Sequence, residues 1–195
     1  TEESGVSVTT PEDFRACVTA FRNAFEAAGI GGAWEHVVGV IVQPGVEFGD
    51  DSVIPYDRGA ARALTSALKE YPGLVFEGHS TDYQTKISLR EMVEDGIAIL
   101  KVGPGLTFAY REGMLALAQI EKAILPMHPG LKASEYAETL ERVMVSEPKH
   151  WQKYYRGTEG EKAFKRIFSF SDRVRYYCAN PDVRAAEARL IENLR

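Results

Sequence analysis

Cysteine is scarce in this chain. Cys17 and Cys178 are the two among 195 residues, far apart and both in helical patterns, so reduced buried thiols are expected rather than a secreted disulfide framework. Long apolar runs are lacking too. Nothing approaches the ~20 consecutive apolar residues that span a bilayer, and no basic segment precedes an apolar one at the start, so neither insertion nor export is expected and the cytoplasm is the expected compartment. Neither sign of charge dominates. The 23 Lys and Arg face 28 Asp and Glu for a formal net charge of −5, interleaved along the chain, which favours neither nucleic acid nor an anionic membrane as a partner. His-x-His and His-Glu-x-x-His spacings are absent, as is a Gly-x-x-x-x-Gly-Lys-Ser/Thr phosphate loop. These absences leave a small molecule or another protein as the partner.

What is present is a chain of one ordinary domain's length, 45% hydrophobic and 26% charged, enough for a core. Thr10 before Pro11, Glu12 and Asp13 predicts a helix N-cap, with Phe14, Cys17, Val18, Phe21 and Phe25 at helical spacing and Gly29 as the stop. The nearly continuous β-branched run over 36–43 predicts a parallel strand buried on both faces. Asp57 is a cap for a second helix over about 58–71. The cycle repeats with a strand over 74–77, a helix over 88–94, a strand over 97–102 and a long helix over 107–125. Such alternation implies an α/β protein with parallel strands and right-handed crossovers, either a (β/α)8-type barrel or an open doubly wound sheet. The chain reads as a single barrel-type domain over 1–195, with β/α repeats over 1–125 and a mainly helical part over 126–195. A complete eight-stranded barrel takes ~250 residues. Three strands therefore predict a part-barrel, for which loss of an N-terminal half is the preferred account.

In parallel α/β proteins ligands bind beyond the carboxyl ends of the strands, and here all three ends turn polar: Gln43-Pro44-Gly45-Val46-Glu47-Phe48-Gly49-Asp50-Asp51, Glu77-Gly78-His79-Ser80-Thr81-Asp82-Tyr83-Gln84 and Lys101-Val102-Gly103-Pro104-Gly105-Leu106-Thr107. Glu77 and Lys101 lie in or beside apolar runs, where an unpaired charge is costly, so partners are expected for both, each other included. They are either ligand-binding or acid/base groups or a structural ion pair. A lysine at a strand end is also able to form a Schiff base with a ketose. Glu47, His79 and Asp82, with Glu77, supply N and O donors for a divalent metal such as zinc if the loops converge; the alternative is a hydrogen-bonded polar loop. Gly103-Pro104-Gly105 ahead of Thr107 offers backbone amides and a hydroxyl at a helix start, suited to phosphate, or else a tight βα turn. Gln43 joins Glu47, Asp82, Gly103 and Thr107 as candidate ligand-binding residues. Tyr154-Tyr155-Arg156-Gly157 and the run from Ser169 to Tyr177 mix arginines with aromatic rings. They suit phosphate or partner binding, but a helix capped at Ser171 is the preferred reading. His36, His128 and His150 are read as structural.

The segments Val42-Gln43-Pro44-Gly45-Val46-Glu47-Phe48-Gly49, Phe76-Glu77-Gly78-His79-Ser80-Thr81-Asp82-Tyr83-Gln84 and Ile99-Leu100-Lys101-Val102-Gly103-Pro104 closely resemble the tagatose-1,6-bisphosphate aldolase Z-subunit family, GatZ/KbaZ-like, and Ser171-Asp172-Arg173-Val174-Arg175-Tyr176-Tyr177 fits the same family. The resemblance implies a TIM-barrel-like fold, here its C-terminal portion with additional helices. It also implies a non-catalytic accessory role beside a zinc-dependent class II aldolase catalytic subunit in galactitol, N-acetylgalactosamine or tagatose catabolism. Older labels for such proteins name a tagatose-6-phosphate kinase, for which no kinase signature is found here. Buried charges at strand ends are more than an accessory role demands. They keep open a sugar-phosphate epimerase, isomerase or aldolase, with Glu77 and His79 exchanging protons and Lys101 holding an oxyanion, and also a barrel that binds a ketose phosphate without chemistry. Exposed strand edges predict a homo-oligomer for a half-barrel.

Overall fold

In the computed structural model, which describes residues 6–195, the first helix starts where the cap signals place it. The Thr10 hydroxyl accepts from the Asp13 amide at 3.1 Å, Pro11 sits in the first turn, and α1 (Pro11–Ala27) buries Phe14 and Val18. A 3₁₀ turn, Gly31–His36, then delays the strand, so β1 is Gly39–Val42 and His36 ends a turn rather than opening a strand. Contacts divide the chain into two compact units: residues up to Phe48 with Ser52–Gly103, and Gly49–Asp51 with Pro104–Arg195.

The first unit holds a three-stranded parallel sheet. After β1 comes a short antiparallel hairpin, β2 (Glu47–Phe48) and β3 (Val53–Ile54), that the loop composition concealed. Asp57 caps α2 (Arg58–Ala67) through the Gly59 and Ala60 amides; β4 (Val75–Gly78), α3 (Lys86–Glu94) and β5 (Ile97–Leu100) follow. The order is β1-β4-β5, with Ile41 level with Glu77 and Glu77 level with Ile99. Side chains alternate across a strand, so Val42, Phe76 and Ile97 enter one cluster with Phe14, Val18, Ala61, Leu64 and Met92 from all three helices. Phe14 sets its ring edge-on to Tyr71 and Phe76 at 5.1 and 4.9 Å, a geometry that adds to burial.

The opposite face carries Ile41, 61% exposed, and Ile99, 37% exposed. The expectation of a β1 buried on both faces is therefore corrected: the described residues cover one. Strands in sequential spatial order, joined by crossovers of one hand, bring every helix to the same side.

The second unit is helical, with α4 (Gly105–Ile124), α5 (Tyr136–Ser146), α6 (Glu159–Phe168) and α7 (Pro181–Asn193). Met114 and Leu117 of α4 pack with Leu140, Met144, Trp151, Tyr155, Val183 and Leu190, so the helix grouped with the β/α repeats on periodicity belongs to this cluster. The helix α6 begins at a capping box between Thr158 and Glu161. No α-helix starts at Ser171; Asp172 is left-handed at φ 42° and leads into a 3₁₀ turn, Arg173–Tyr176. A buried ion pair crosses this unit, Arg111 to Asp172 at 3.0 Å with both side chains 1% exposed. Both cysteines are free and half-buried. Among the described residues no helix is long and apolar enough to cross a membrane.

Candidate functional site

Glu77 is the last side chain of β4 on the open face, between Ile41 and Ile99 of its neighbours. Two residues on, alternation returns His79 to the same side, and its Nε2 lies 2.9 Å from Glu77 Oε1. The side chains are 27% and 37% exposed, so the pair is partly desolvated yet open to a ligand. Glu77 thus pairs with His79, not with Lys101. The Lys101 amide donates to the Gly78 carbonyl at 2.9 Å, while its side chain is exposed and makes no hydrogen bond or ion pair among the described residues. A lysine stem that reaches into water escapes the desolvation that would have demanded a partner. In the tautomer that carries its proton on Nε2, His79 donates to Glu77 and leaves Nδ1 as an acceptor. The result is an oriented imidazole at the end of β4, with Lys101 at the adjoining end of β5.

The backbone bends sharply after this pair. Ser80 adopts φ 57°, a left-handed conformation uncommon outside glycine, and buried Thr81 donates from its hydroxyl to the Lys101 carbonyl at 3.0 Å. Asp82 Oδ1 accepts from the Gly103 amide at 2.7 Å. These two bonds stitch the loop after β4 to the end of β5. Gln84, also buried, takes the Tyr56 amide at 2.9 Å and gives its own Nε2–H to the Ile54 carbonyl at 3.0 Å, fastening the hairpin. Thr81 and Gln84 were quoted in the motif without a role; a polar residue before a helix cap gives no local sign of the distant carbonyl it will meet.

The remaining candidates shape turns. Gln43 Oε1 accepts from Gly45 and Val46 amides at 2.8 and 3.1 Å, and Glu47 Oε1 takes the Phe48 amide at 2.9 Å. Among the described residues no three His, Cys, Asp or Glu side chains are placed to hold a metal ion; Glu47, His79 and Asp82 are not gathered as a ligand set, because each carboxylate bends towards a backbone amide. The Gly103 amide is already bonded to Asp82. In the second unit the Thr107 hydroxyl lies between the Pro104 carbonyl, 3.0 Å away, and Asp172 Oδ2, 2.5 Å away. The phosphate-cradle donors predicted at Gly103 and Thr107 are therefore occupied by protein acceptors. Glu77, His79 and Lys101 are what the fold assembles at the ends of β4 and β5.

A parallel α/β unit with polar side chains beyond the carboxyl ends of its strands is the arrangement of ligand-handling α/β proteins. The chain belongs to the family described as D-tagatose-1,6-bisphosphate aldolase subunit GatZ/KbaZ-like, which it matches over residues 1–195. This is the family read from the strand-end motifs. The chain is also similar to the crystal structure of a probable tagatose 6 phosphate kinase from Sinorhizobium meliloti 1021, with 50% identity and a TM-score of 0.90 over 96% of this chain and 48% of that one. It spans about half the length of that neighbour.

Proposed function

We propose that the chain is a non-catalytic accessory subunit of a class II D-tagatose-1,6-bisphosphate aldolase, working in the cytoplasm in galactitol, N-acetylgalactosamine or tagatose catabolism. The family match along the whole chain carries this reading. The fold is a portion of a (β/α)8 barrel: strands in sequential order with their helices on one side support it, as does the likeness to a solved neighbour. Most of the strand-end side chains are spent on holding loops, which suits a supporting role and a mouth that receives a ketose phosphate. The test is cleavage of tagatose 1,6-bisphosphate by the chain alone, by a purified class II aldolase catalytic subunit alone, and by both. Activation in the mixture only is the expected result; equal rates with and without the chain would reject the role.

The Glu77–His79 pair at 2.9 Å, with Lys101 at the neighbouring strand end, favours a second reading. In it the chain is a sugar-phosphate epimerase, isomerase or aldolase, His79 exchanges a proton with substrate while Glu77 orients the ring, and Lys101 neutralises a developing oxyanion. Turnover by the chain alone, abolished by Glu77→Gln and by His79→Ala in folded protein, would establish it. A phosphoryl-transfer role, after the neighbour's name, has no phosphate loop to rest on.

A further inference from the structure

We infer that the aromatic and basic surface around Tyr154, Arg173 and Tyr176 in the helical unit docks an acidic, carboxylate-bearing face of the partner subunit. The inference rests on the accessory reading and places its interface. The Arg173 guanidinium lies 3.3 Å from the Tyr154 ring centroid and 5.9 Å from that of Tyr176. Around Tyr176 gather Arg175, at 4.6 Å, and the His150 ring, stacked at 4.9 Å and 19°. Tyr154 is 53% and Tyr176 46% exposed, so both rings present surface to solvent beside cations. His150, read from sequence as structural, is part of this stack.

The state of Arg173 points to a missing acceptor. Its side chain makes no hydrogen bond or ion pair with any described residue, so its charge is met by the two rings alone. Three other cations of the unit are paired with acids: Arg111 with Asp172, Arg166 with Glu141 and Lys165 with Asp50. Charge is also segregated here. Residues 149–176 contain eight Lys and Arg against three Asp and Glu, in a chain whose total is −5. Lys153 and Arg156, on either side of Tyr154 and Tyr155, are exposed and without an acidic partner among the described residues. A carboxylate answers the fork of a guanidinium in bidentate fashion. Rigid tyrosine faces beside arginine are the usual composition of protein–protein hot spots, whereas a lone phosphate would leave both rings unused.

The experiment titrates the chain with a purified class II aldolase catalytic subunit at low and at physiological salt, for wild type, Arg173→Ala, the double variant Tyr154→Ala/Tyr176→Ala, and Lys153→Glu, whose exposed side chain puts the fold at no risk. Arg173→Ala and the tyrosine double variant are expected to weaken Kd by about tenfold or more. Lys153→Glu is expected to slow association and flatten the salt dependence, and Arg173→Lys to fail as a replacement. If all these variants bind within about twofold of wild type while wild type binds and activates, the docking surface is refuted and the accessory role stands. If the wild-type chain does not bind, both fall. Loss of tagatose 1,6-bisphosphate binding in Arg173→Ala with partner affinity unchanged would make this a small-anion site and likewise overturn the inference.

Discussion

Replacing Asp172 by Asn tests the physical account of the helical unit most sharply. Asp172 and Arg111 are each 1% exposed and 3.0 Å apart. Arg111 Nη1 donates also to the Ser169 carbonyl at 3.2 Å, while Nε and Nη2 are buried without hydrogen-bond partners and the group lies 4.2 Å from the Phe108 ring. Removing the carboxylate charge leaves a guanidinium with only neutral acceptors in a dry interior, and breaking a buried pair in this way costs about 3–5 kcal/mol. Asparagine keeps the shape and tolerates the left-handed φ of 42°; with its amide oxygen kept on Arg111 its NH2 group turns to the Thr107 oxygen, so the loss reads the missing charge with one hydrogen bond reversed. A unit whose whole stability is on the order of 5–15 kcal/mol would then unfold far earlier in urea. Trp151 is buried in this unit, and its fluorescence in a Trp34→Phe background follows that unit alone. Arg111→Met in the Asp172→Asn protein is expected to recover at least about 1 kcal/mol relative to the sum of the two single losses, because the stranded cation is gone. A single-variant loss under about 1 kcal/mol, or a double variant no better than additive, would refute the reasoning.

Three further outcomes follow from the packing. Phe76→Ala, at a residue of 0% exposure with Phe14 edge-on at 4.9 Å, should cost the first unit about 3–5 kcal/mol, read from Trp34 fluorescence in urea; a cost below about 1 kcal/mol would mean the sheet is not packed as described. Burial, reinforced by the hydrogen bond to Glu187, raises the Tyr110 hydroxyl from 10.0 to about 12, and Tyr56 and Tyr136 move upward chiefly through burial as well. Groups whose folded pKa is raised add stability below pH 10.0 and lose it as pH climbs towards 12, so urea midpoints should fall across that window, less so in Tyr110→Phe; a flat profile contradicts the burial. Finally, β1 and β5 each have one strand neighbour among the described residues and Ile41 is 61% exposed, so the isolated chain should self-associate; a monomer by light scattering at every concentration would count against an open sheet face.

The βα repeat was legible because each signal was local. Thr10, Asp57 and the strand runs ending at Pro44, Gly78 and Lys101 act within a few residues of their own positions, and the elements fall within a few residues of the predicted ranges. What periodicity could not tell was which cluster a helix joins: the apolar stripe of α4 is the same whether a sheet or Leu140 and Leu190 lie beneath it. The site was half legible. The sequence reading grouped Glu77, His79 and Lys101 and offered Lys101 as a partner for Glu77; that His79 takes that place depends on side-chain reach. Gln43, Glu47 and Asp82 look like ligands in sequence because a side-chain oxygen that caps a turn and one that binds a substrate belong to the same residue types. The meaning of Tyr154 and Arg173 was hidden for another reason. Their ring-to-guanidinium contact joins positions separated by an entire helix, α6.

Three residues near the middle of the first half, Gly49–Asp51, are built into the helical unit. The Asp50 carbonyl takes the Phe170 amide at 2.8 Å, and its carboxylate receives the Ser169 hydroxyl at 2.9 Å and pairs with Lys165 at 3.1 Å. Because the chain is made from its N-terminus, Asp50 is in place long before its donors exist; the contact closes across 119 residues, a late and slow event by its loop length. A proteolytic cut or a gene split at Gly103 would therefore not release a self-sufficient helical fragment. Residues 104–195 expressed alone would lack one stone of their own arch, and adding the 49–51 segment back in trans would be the way to complete it.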